Sequence, residues 1–169
     1  MKPCIFTGSA VAIVTPFRAG SIDFNAFDRL VERQIQGGTD AIVVCGTTGE
    51  AATLNYDERM ALIERCVRIV DRRVPVIAGS GTNNTASSVA LSKATQSAGV
   101  DALLTVTPYY NKASQNGLVR HFSAIADAVE IPLILYNVPS RTGVSCTAET
   151  YQKLAEHPNI AGVKEASDD

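Results

Sequence analysis

The sequence lacks the features that identify several common classes of protein. Its 169 residues contain no apolar run near the length of a membrane span, and the chain start lacks a signal-peptide core. The formal net charge is only −2, so there is no electrostatic reason to expect nucleic acid or an anionic membrane as a partner. Neither a GxGxxG motif after the first predicted strand nor a P-loop is present.

The chain is also poor in residues that hold metals or form disulfides. No CxxC pair occurs, and His121 and His157 stand alone, so no zinc-site spacing is present. We therefore expect a cytoplasmic protein without a metal or cofactor, in which all four scattered cysteines are reduced: Cys4, Cys45, Cys66 and Cys146.

What the sequence does contain is a repeated pattern of apolar runs and amphipathic helical segments. With 46% apolar and 19% charged residues, it has the composition of one globular domain with a sizeable core. Helices are predicted to begin near Asp23, Asn55, Thr85, Ser114 and Thr147. The apolar runs recur about every 30 residues, the size of a βα unit. They occupy residues 10–14, 40–45, 74–79, 101–106, 131–136 and 160–167.

Nearly continuous apolar strands, each followed by a helix, predict a parallel sheet covered by helices. Two α/β architectures fit this pattern, an open doubly wound sheet and a (β/α)8 barrel. Unusual polar residues follow the second, fourth and fifth predicted strands, and a lysine lies on the sixth. The carboxyl ends of barrel strands converge on one mouth, so the barrel is the favoured prediction.

The lysine of the sixth strand, Lys164, is the first candidate for chemistry. Strand interiors disfavour lysine, and burial lowers the pKa of an amine until it becomes a neutral nucleophile toward carbonyl carbon. Gly162 precedes it by two residues on the same strand face and leaves room for a small substrate. The alternative is a lysine at a strand end that turns out to water.

Four other side chains suggest what this lysine reacts with. Thr47 and Thr48, with backbone N–H groups of a glycine-flanked turn, can hold a carboxylate. Tyr136 ends its strand with a hydroxyl that can move a proton at an imine carbon, and Arg141 offers a planar fork for a second carboxylate. Each residue type is common in turns, cores or loops, but together, on successive βα loops, they predict a keto-acid site.

Four motifs resemble signatures of the dihydrodipicolinate synthase family. They are Gly-Thr-Thr-Gly-Glu at 46–50, Tyr-Tyr-Asn-Lys at 109–112, Tyr-Asn-Val-Pro-Ser-Arg-Thr-Gly at 136–143 and Gly-Val-Lys-Glu-Ala at 162–166. The resemblance implies a (β/α)8 barrel that condenses pyruvate with L-aspartate-4-semialdehyde to 4-hydroxy-tetrahydrodipicolinate in lysine and diaminopimelate biosynthesis. It also implies a homotetramer for the full-length protein.

The resemblance further assigns a role to each candidate residue. Lys164 would form the Schiff base with pyruvate, and Arg141 would bind the semialdehyde carboxylate. A proton relay would be formed by Thr47, Tyr136 and Tyr110, of which Tyr110 would reach into a neighbouring subunit. Thr48 would bind the pyruvate carboxylate. N-acetylneuraminate lyase and other 2-keto-acid aldolases share the lysine, but the Thr-Thr pair and Arg141 favour the synthase.

The length of the chain departs from the family pattern. We expect residues 1–169 to form a single, truncated barrel domain that carries about the first six βα units, with the C-terminal strands and helical region missing. A barrel of eight strands cannot close with six. The chain alone is therefore expected to need the remainder for activity, and the alternative from a different class is an inactive, self-associating fragment.

Overall fold

The computed structural model describes residues 4–167 as strands that alternate with helices. The strands are β1 (Ala10–Ala12), β2 (Phe17–Arg18), β3 (Ser21–Ile22), β4 (Ala41–Val44), β5 (Val76–Gly79), β6 (Ala102–Val106), β7 (Leu133–Asn137) and β8 (Ile160–Glu165). The helices are α1 (Phe24–Gln36), α2 (Tyr56–Val70), α3 (Thr85–Ser97), α4 (Gln115–Ala126), α5 (Pro139–Thr142) and α6 (Ala148–Ala155).

Six of the strands form one parallel sheet in the order β1-β4-β5-β6-β7-β8. The sheet curls into a half-barrel with helices on its convex side, and β2 and β3 form a separate antiparallel hairpin. This confirms the prediction of a (β/α)8-type barrel of which the chain carries six units. Within residues 4–167, β1 and β8 are the edge strands of the sheet.

The helices begin at the residues whose side chains can cap them. Asn55 and Glu58 form the predicted capping box: each side chain accepts a hydrogen bond from the other residue's N–H at 2.9 Å. The side chains of Asp23, Ser114 and Thr147 each accept a hydrogen bond from the N–H three residues later. The sequence therefore fixes the starts of these helices locally.

The structure differs from the sequence prediction at several boundaries. Strand β1 ends before Ile13, and Val14 is 49% exposed. Helix α4 ends at Ala126 rather than at Val129, because the chain turns after Asp127 toward Pro132 and β7. The hairpin β2–β3 and helix α5 were not predicted, since elements of two to four residues are too short to show a periodicity.

The two faces of the sheet are packed differently. The convex face and the helices enclose the main core, which includes Phe27, Leu62, Phe122 and Leu133. The concave face is also apolar, and the partly buried Ile5 and Phe6 pack against its side chains: Ala41, Val43, Ile77, Ala102, Leu104, Tyr136 and Val138. In residues 4–167, no helix combines the length and apolarity that crossing a bilayer requires.

Candidate active site

A large cleft lies where the carboxyl ends of the central strands meet their following loops. Its volume is about 1080 Å³, and Thr47, Tyr110, Tyr136 and Arg141 all line it. A second cavity of about 440 Å³ lies along the concave face, where Lys164 is among the lining residues. Leu104 and the strand that carries it border both spaces. The candidate residues are thus divided between two neighbouring cavities, and Thr48, beside Thr47, does not line the cleft.

An irregularity in β8 decides which way Lys164 points. Leu133 pairs with Ile160, but the next residue of β7 pairs with Gly162, so Ala161 is an extra residue in the strand. From there the register continues with Tyr136 opposite Lys164. Since paired residues share a face, the bulge places Lys164 on the concave face with Tyr136.

Lys164 and Tyr136 are in direct contact on this face. The Nζ atom lies 4.5 Å from the centroid of the Tyr136 ring, the arrangement of a cation–π contact. Tyr136 is buried, at 6% exposure, whereas Lys164 is exposed. The sequence-based prediction of a buried, desolvated Lys164 is therefore wrong for residues 4–167. The physical reason is that β8 is an edge strand, so the lysine is covered on one side only.

Thr47 and Thr48 lie in a tight turn after β4, and both are exposed. The N–H groups of Gly49 and Ala51 donate to the Gly46 carbonyl at 3.1 and 3.3 Å. The N–H of Glu50 donates to the Thr47 carbonyl at 3.1 Å. These donors close the turn. The N–H groups of residues 49–51 are therefore not available to a carboxylate at this turn, whereas the side chains of Thr47 and Thr48 are exposed.

The same turn packs against β5 at a position where only glycine fits. A Cβ atom added to Gly79 would lie 1.9 Å from the carbonyl oxygen of Cys45. Cys45 has a φ of 52° and Glu50 a φ of 58°, both in the left-handed region that most side chains avoid. Close approach at Gly79 thus lets the strained turn sit directly over the end of β5.

Tyr110 and Arg141 come from the loops after β6 and β7. The N–H of Tyr110 donates to the carbonyl of Thr142 at 3.2 Å, which joins its loop to α5, the helix that carries Arg141. Tyr110 is 89% exposed and has a φ of 70°, and Arg141 is exposed as well. The fold therefore presents a phenol and a guanidinium from adjoining segments at the rim of the cleft.

On the opposite face of β8, the neighbour of Lys164 is held by a hydrogen-bond network. The Glu165 carboxylate accepts from Tyr151 Oη at 2.7 Å, from Asn137 Nδ2 at 2.9 Å, and from the N–H groups of Ala166 and Ser167 at 3.1 Å. Burial raises the pKa of the Glu165 carboxyl, but hydrogen bonds from Tyr151, Asn137 and Ser167 together bring it below its usual value. Burial first, and then the bond to Glu165, raises the pKa of the Tyr151 phenol.

The sequence-based prediction did not include Glu165, Asn137 or Tyr151. The alternation of a strand does signal that Glu165 faces away from Lys164, but nothing in the sequence pairs it with Tyr151. Asn137, at 1% exposure, follows the candidate Tyr136 directly, and the sequence shows it only as part of the motif at 136–143. In residues 4–167, no group of three His, Cys, Asp or Glu side chains is arranged to hold a metal ion.

Comparison with known proteins gives consistent results. The model of the dihydrodipicolinate synthetase family matches residues 5–169. The 4-hydroxy-tetrahydrodipicolinate synthase of Geobacter metallireducens is 58% identical over 163 residues, which cover 96% of this chain and 56% of the relative. The synthase of Thermodesulfovibrio yellowstonii is 54% identical over 165 residues, covering 98% of this chain and 57% of the relative.

Solved structures agree with these relatives. The chloride-inhibited dihydrodipicolinate synthase of Acinetobacter baumannii, in complex with pyruvate, is 51% identical with a TM-score of 0.95, covering 98% of this chain and 57% of that one. The Thermotoga maritima enzyme is 44% identical with a TM-score of 0.96 and the same coverage. The chain therefore spans little more than half the length of the relatives it matches. Family model, sequence identity and fold together show that the chain belongs to the dihydrodipicolinate synthetase family.

Proposed function

We propose that this chain carries the reactive lysine of a Schiff-base lyase that condenses pyruvate with L-aspartate-4-semialdehyde to 4-hydroxy-tetrahydrodipicolinate. Such a reaction serves lysine and diaminopimelate biosynthesis. The observation that carries the proposal is the position of Lys164 Nζ, 4.5 Å from the Tyr136 ring centroid on the concave face. Relatives at 52–58% identity that bear the name 4-hydroxy-tetrahydrodipicolinate synthase support it.

The proposed chemistry begins at Lys164. Its neutral amine attacks the keto carbon of pyruvate, and loss of water gives an iminium ion. The iminium draws electrons from the adjacent methyl group, so a weak base suffices to remove a methyl proton and form an enamine. The enamine carbon then bonds to the aldehyde carbon of the second substrate, whose oxygen takes up a proton. The amino group of that substrate attacks the iminium carbon and displaces the Lys164 amine, which closes the ring and frees the enzyme. The sequence of steps requires no metal ion.

Other side chains at or beside the cleft supply binding and proton transfer in this proposal. Tyr136 moves protons beside the imine, with Thr47 and Tyr110 completing the relay. Thr48 holds the pyruvate carboxylate, and Arg141 holds the carboxylate of the semialdehyde through its planar fork. The location of Thr47, Tyr110, Tyr136 and Arg141 on one cleft supports these roles.

We further propose that the active protein is a cytoplasmic homo-oligomer, a tetramer in its full-length form. Tyr110, 89% exposed at the rim of the cleft, suits a residue that reaches into a neighbouring subunit. Four unpaired cysteines suit a reducing compartment.

Residues 1–169 are proposed to form one (β/α) barrel domain that becomes active when the remaining units are supplied. Six strands with edges at β1 and β8 leave the concave face open on the side of Lys164. Two further βα units would pair with both edges and surround the lysine, since a barrel has no free edge. Water exclusion around the amine would follow from that closure.

Covalent trapping tests the proposal directly. The 169-residue chain is incubated with pyruvate and borohydride, alone and with a polypeptide carrying the remaining barrel units of the Geobacter metallireducens relative. Digestion and mass spectrometry then locate the adduct. We expect one reduced pyruvate on Lys164 in the completed protein, no adduct in Lys164→Arg, and normal trapping in Lys153→Arg, a control on α6.

Four outcomes distinguish the proposal from its alternatives. A completed protein that is not modified on Lys164 would refute the Schiff-base role. Adduct on the chain alone would show that closure is not required, whereas an unreactive chain that self-associates on size exclusion would fit the inactive-fragment alternative. Faster cleavage of N-acetylneuraminate than turnover of aspartate-semialdehyde would assign the completed protein to the lyase branch.

A further inference from the structure

We propose that Glu165 is a positioning residue whose hydrogen-bond network fixes the end of β8 and so holds the Lys164 amine over Tyr136. The inference rests on the proposed function in which Lys164 is the nucleophile. It adds a requirement that the cleft itself does not show: the amine is oriented from the opposite side of its own strand.

Among residues 4–167, β8 pairs on one side only, with β7. Its last residues lie at the edge of the sheet, and both Val163 and Lys164 are exposed. The pairing with β7, continued by the hydrogen bond from the Ala166 N–H to the Asn137 carbonyl at 2.9 Å, is the backbone contribution to holding it.

The Glu165 side chain adds bonds to two other elements. One oxygen accepts from Asn137 on β7, and the other accepts from the Tyr151 hydroxyl on α6. Asn137 is itself fixed: its Oδ1 accepts from the N–H of Cys146 at 3.2 Å, and its Nδ2 also donates to Ser145 Oγ at 3.1 Å. A carboxylate that bridges a buried amide and a helix ties the strand end to rigid parts of the fold.

The alternation of β8 converts this anchor into an orientation for the lysine. Lys164 and Glu165 are consecutive residues that point to opposite faces, so a rotation of the strand end that releases one also moves the other. Neither partner of the anchor changes charge near neutral pH, because the carboxyl pKa is lowered and the phenol pKa is raised. The orientation is therefore maintained throughout the neutral range.

Rates of pyruvate trapping in the completed protein test the role of Glu165. We expect Glu165→Ala to lower the maximal trapping rate about tenfold while the half-saturating pyruvate concentration stays within about twofold. Glu165→Gln, which keeps an acceptor oxygen, should recover part of the rate. Tyr151→Phe, which removes one donor with little change in volume, should lower it about threefold. Glu156→Gln at the end of α6 is the matched control and should leave it unchanged.

A second measurement tests the position of the Lys164 amine relative to the Tyr136 ring without using pyruvate. Reductive ¹³C-methylation of the lysines should give a Lys164 signal shifted upfield by the Tyr136 ring, and this shift should disappear in Glu165→Ala and weaken in Tyr151→Phe. If wild type forms no adduct, the proposed function fails, and the methyl signal still tests the positioning. Unchanged trapping rates in Glu165→Ala and Tyr151→Phe, or a Lys164 methyl signal that is the same with and without Glu165, would overturn the positioning role of Glu165. Far-UV circular dichroism identifies a misfolded Glu165→Ala, in which case Tyr151→Phe decides.

Discussion

Acidification should destabilise this fold through one buried histidine, His121 on α4. The side chain is 5% exposed, its Nδ1 lies 2.9 Å from Thr85 Oγ1, and its ring packs edge to face on Phe122. Its Nε2 is buried without a hydrogen-bond partner among the described residues. A second proton on the ring would create a buried charge whose Nε2–H has no acceptor among the described residues, and burial accordingly lowers the pKa of His121 from 6.5 to about 4.

The sign and size of the effect follow from this difference in pKa. The unfolded chain takes up the proton more readily than the folded chain, so the contribution to stability is complete above pH 6.5 and is lost as the pH falls toward 4. Between about pH 7 and pH 5, we expect the free energy of unfolding to fall by about 2 kcal/mol through His121 alone. For a chain of this size, that corresponds to roughly 4–8 °C in Tm.

Urea unfolding at stepped pH, followed by circular dichroism, measures this loss. His121→Asn, which keeps a polar atom near Thr85 and removes the titrating ring, should be less stable at neutral pH but should lose about 2 kcal/mol less on acidification. His157→Asn is the matched control, because His157 pairs with Asp127 at 3.0 Å nearer the surface. Parallel pH profiles for wild type and His121→Asn would refute the buried-charge explanation.

Two further predictions concern close packing and thiol burial. Gly79→Ala should lower the free energy of unfolding by about 2–3 kcal/mol or more because its Cβ would overlap the Cys45 carbonyl, whereas Gly162→Ala, with no atom within 4 Å of the added Cβ, should stay within about 0.5 kcal/mol of wild type by urea unfolding. With a thiol reagent, the exposed Cys4 should be modified at once in the native protein. The buried thiols of Cys45, Cys66 and Cys146 should react only on unfolding, since burial raises their pKa to about 12, 12 and 11. Immediate reaction of all four cysteines would contradict this prediction.

The fold could be predicted from the sequence because its determinants are local. Each apolar run has the length of a buried parallel strand, and residues such as Asn55 and Ser114 begin their helices with bonds that span only three positions. Repetition of that unit leaves few arrangements, and the position of the polar residues at strand ends selects the barrel. Short elements such as α5 were missed because their conformation depends on the neighbouring loops.

The candidate site was less accessible to sequence reasoning. Thr47, Tyr136 and Arg141 could be gathered at one mouth from topology alone, but the exposure of Lys164 depends on what covers β8, which no local pattern reports. The anchor of Glu165 brings together residues 14 and 28 positions away, Tyr151 and Asn137. Contacts of that kind are set by packing of α6 against the sheet, and composition or periodicity does not predict them.

The extra residue in β8 makes the chemistry of the chain unusually sensitive to a change that removes no functional group. If Ala161 were paired in a regular register from Ile160, with no bulge, Val163 would lie opposite Tyr136 and Lys164 opposite Asn137. The amine would then project into the helical layer, and an isopropyl group would occupy the mouth. A change that flattens the bulge without shortening the strand should therefore abolish the proposed catalysis as completely as loss of the lysine itself, whereas deletion of Ala161 would give regular pairing with Lys164 still opposite Tyr136.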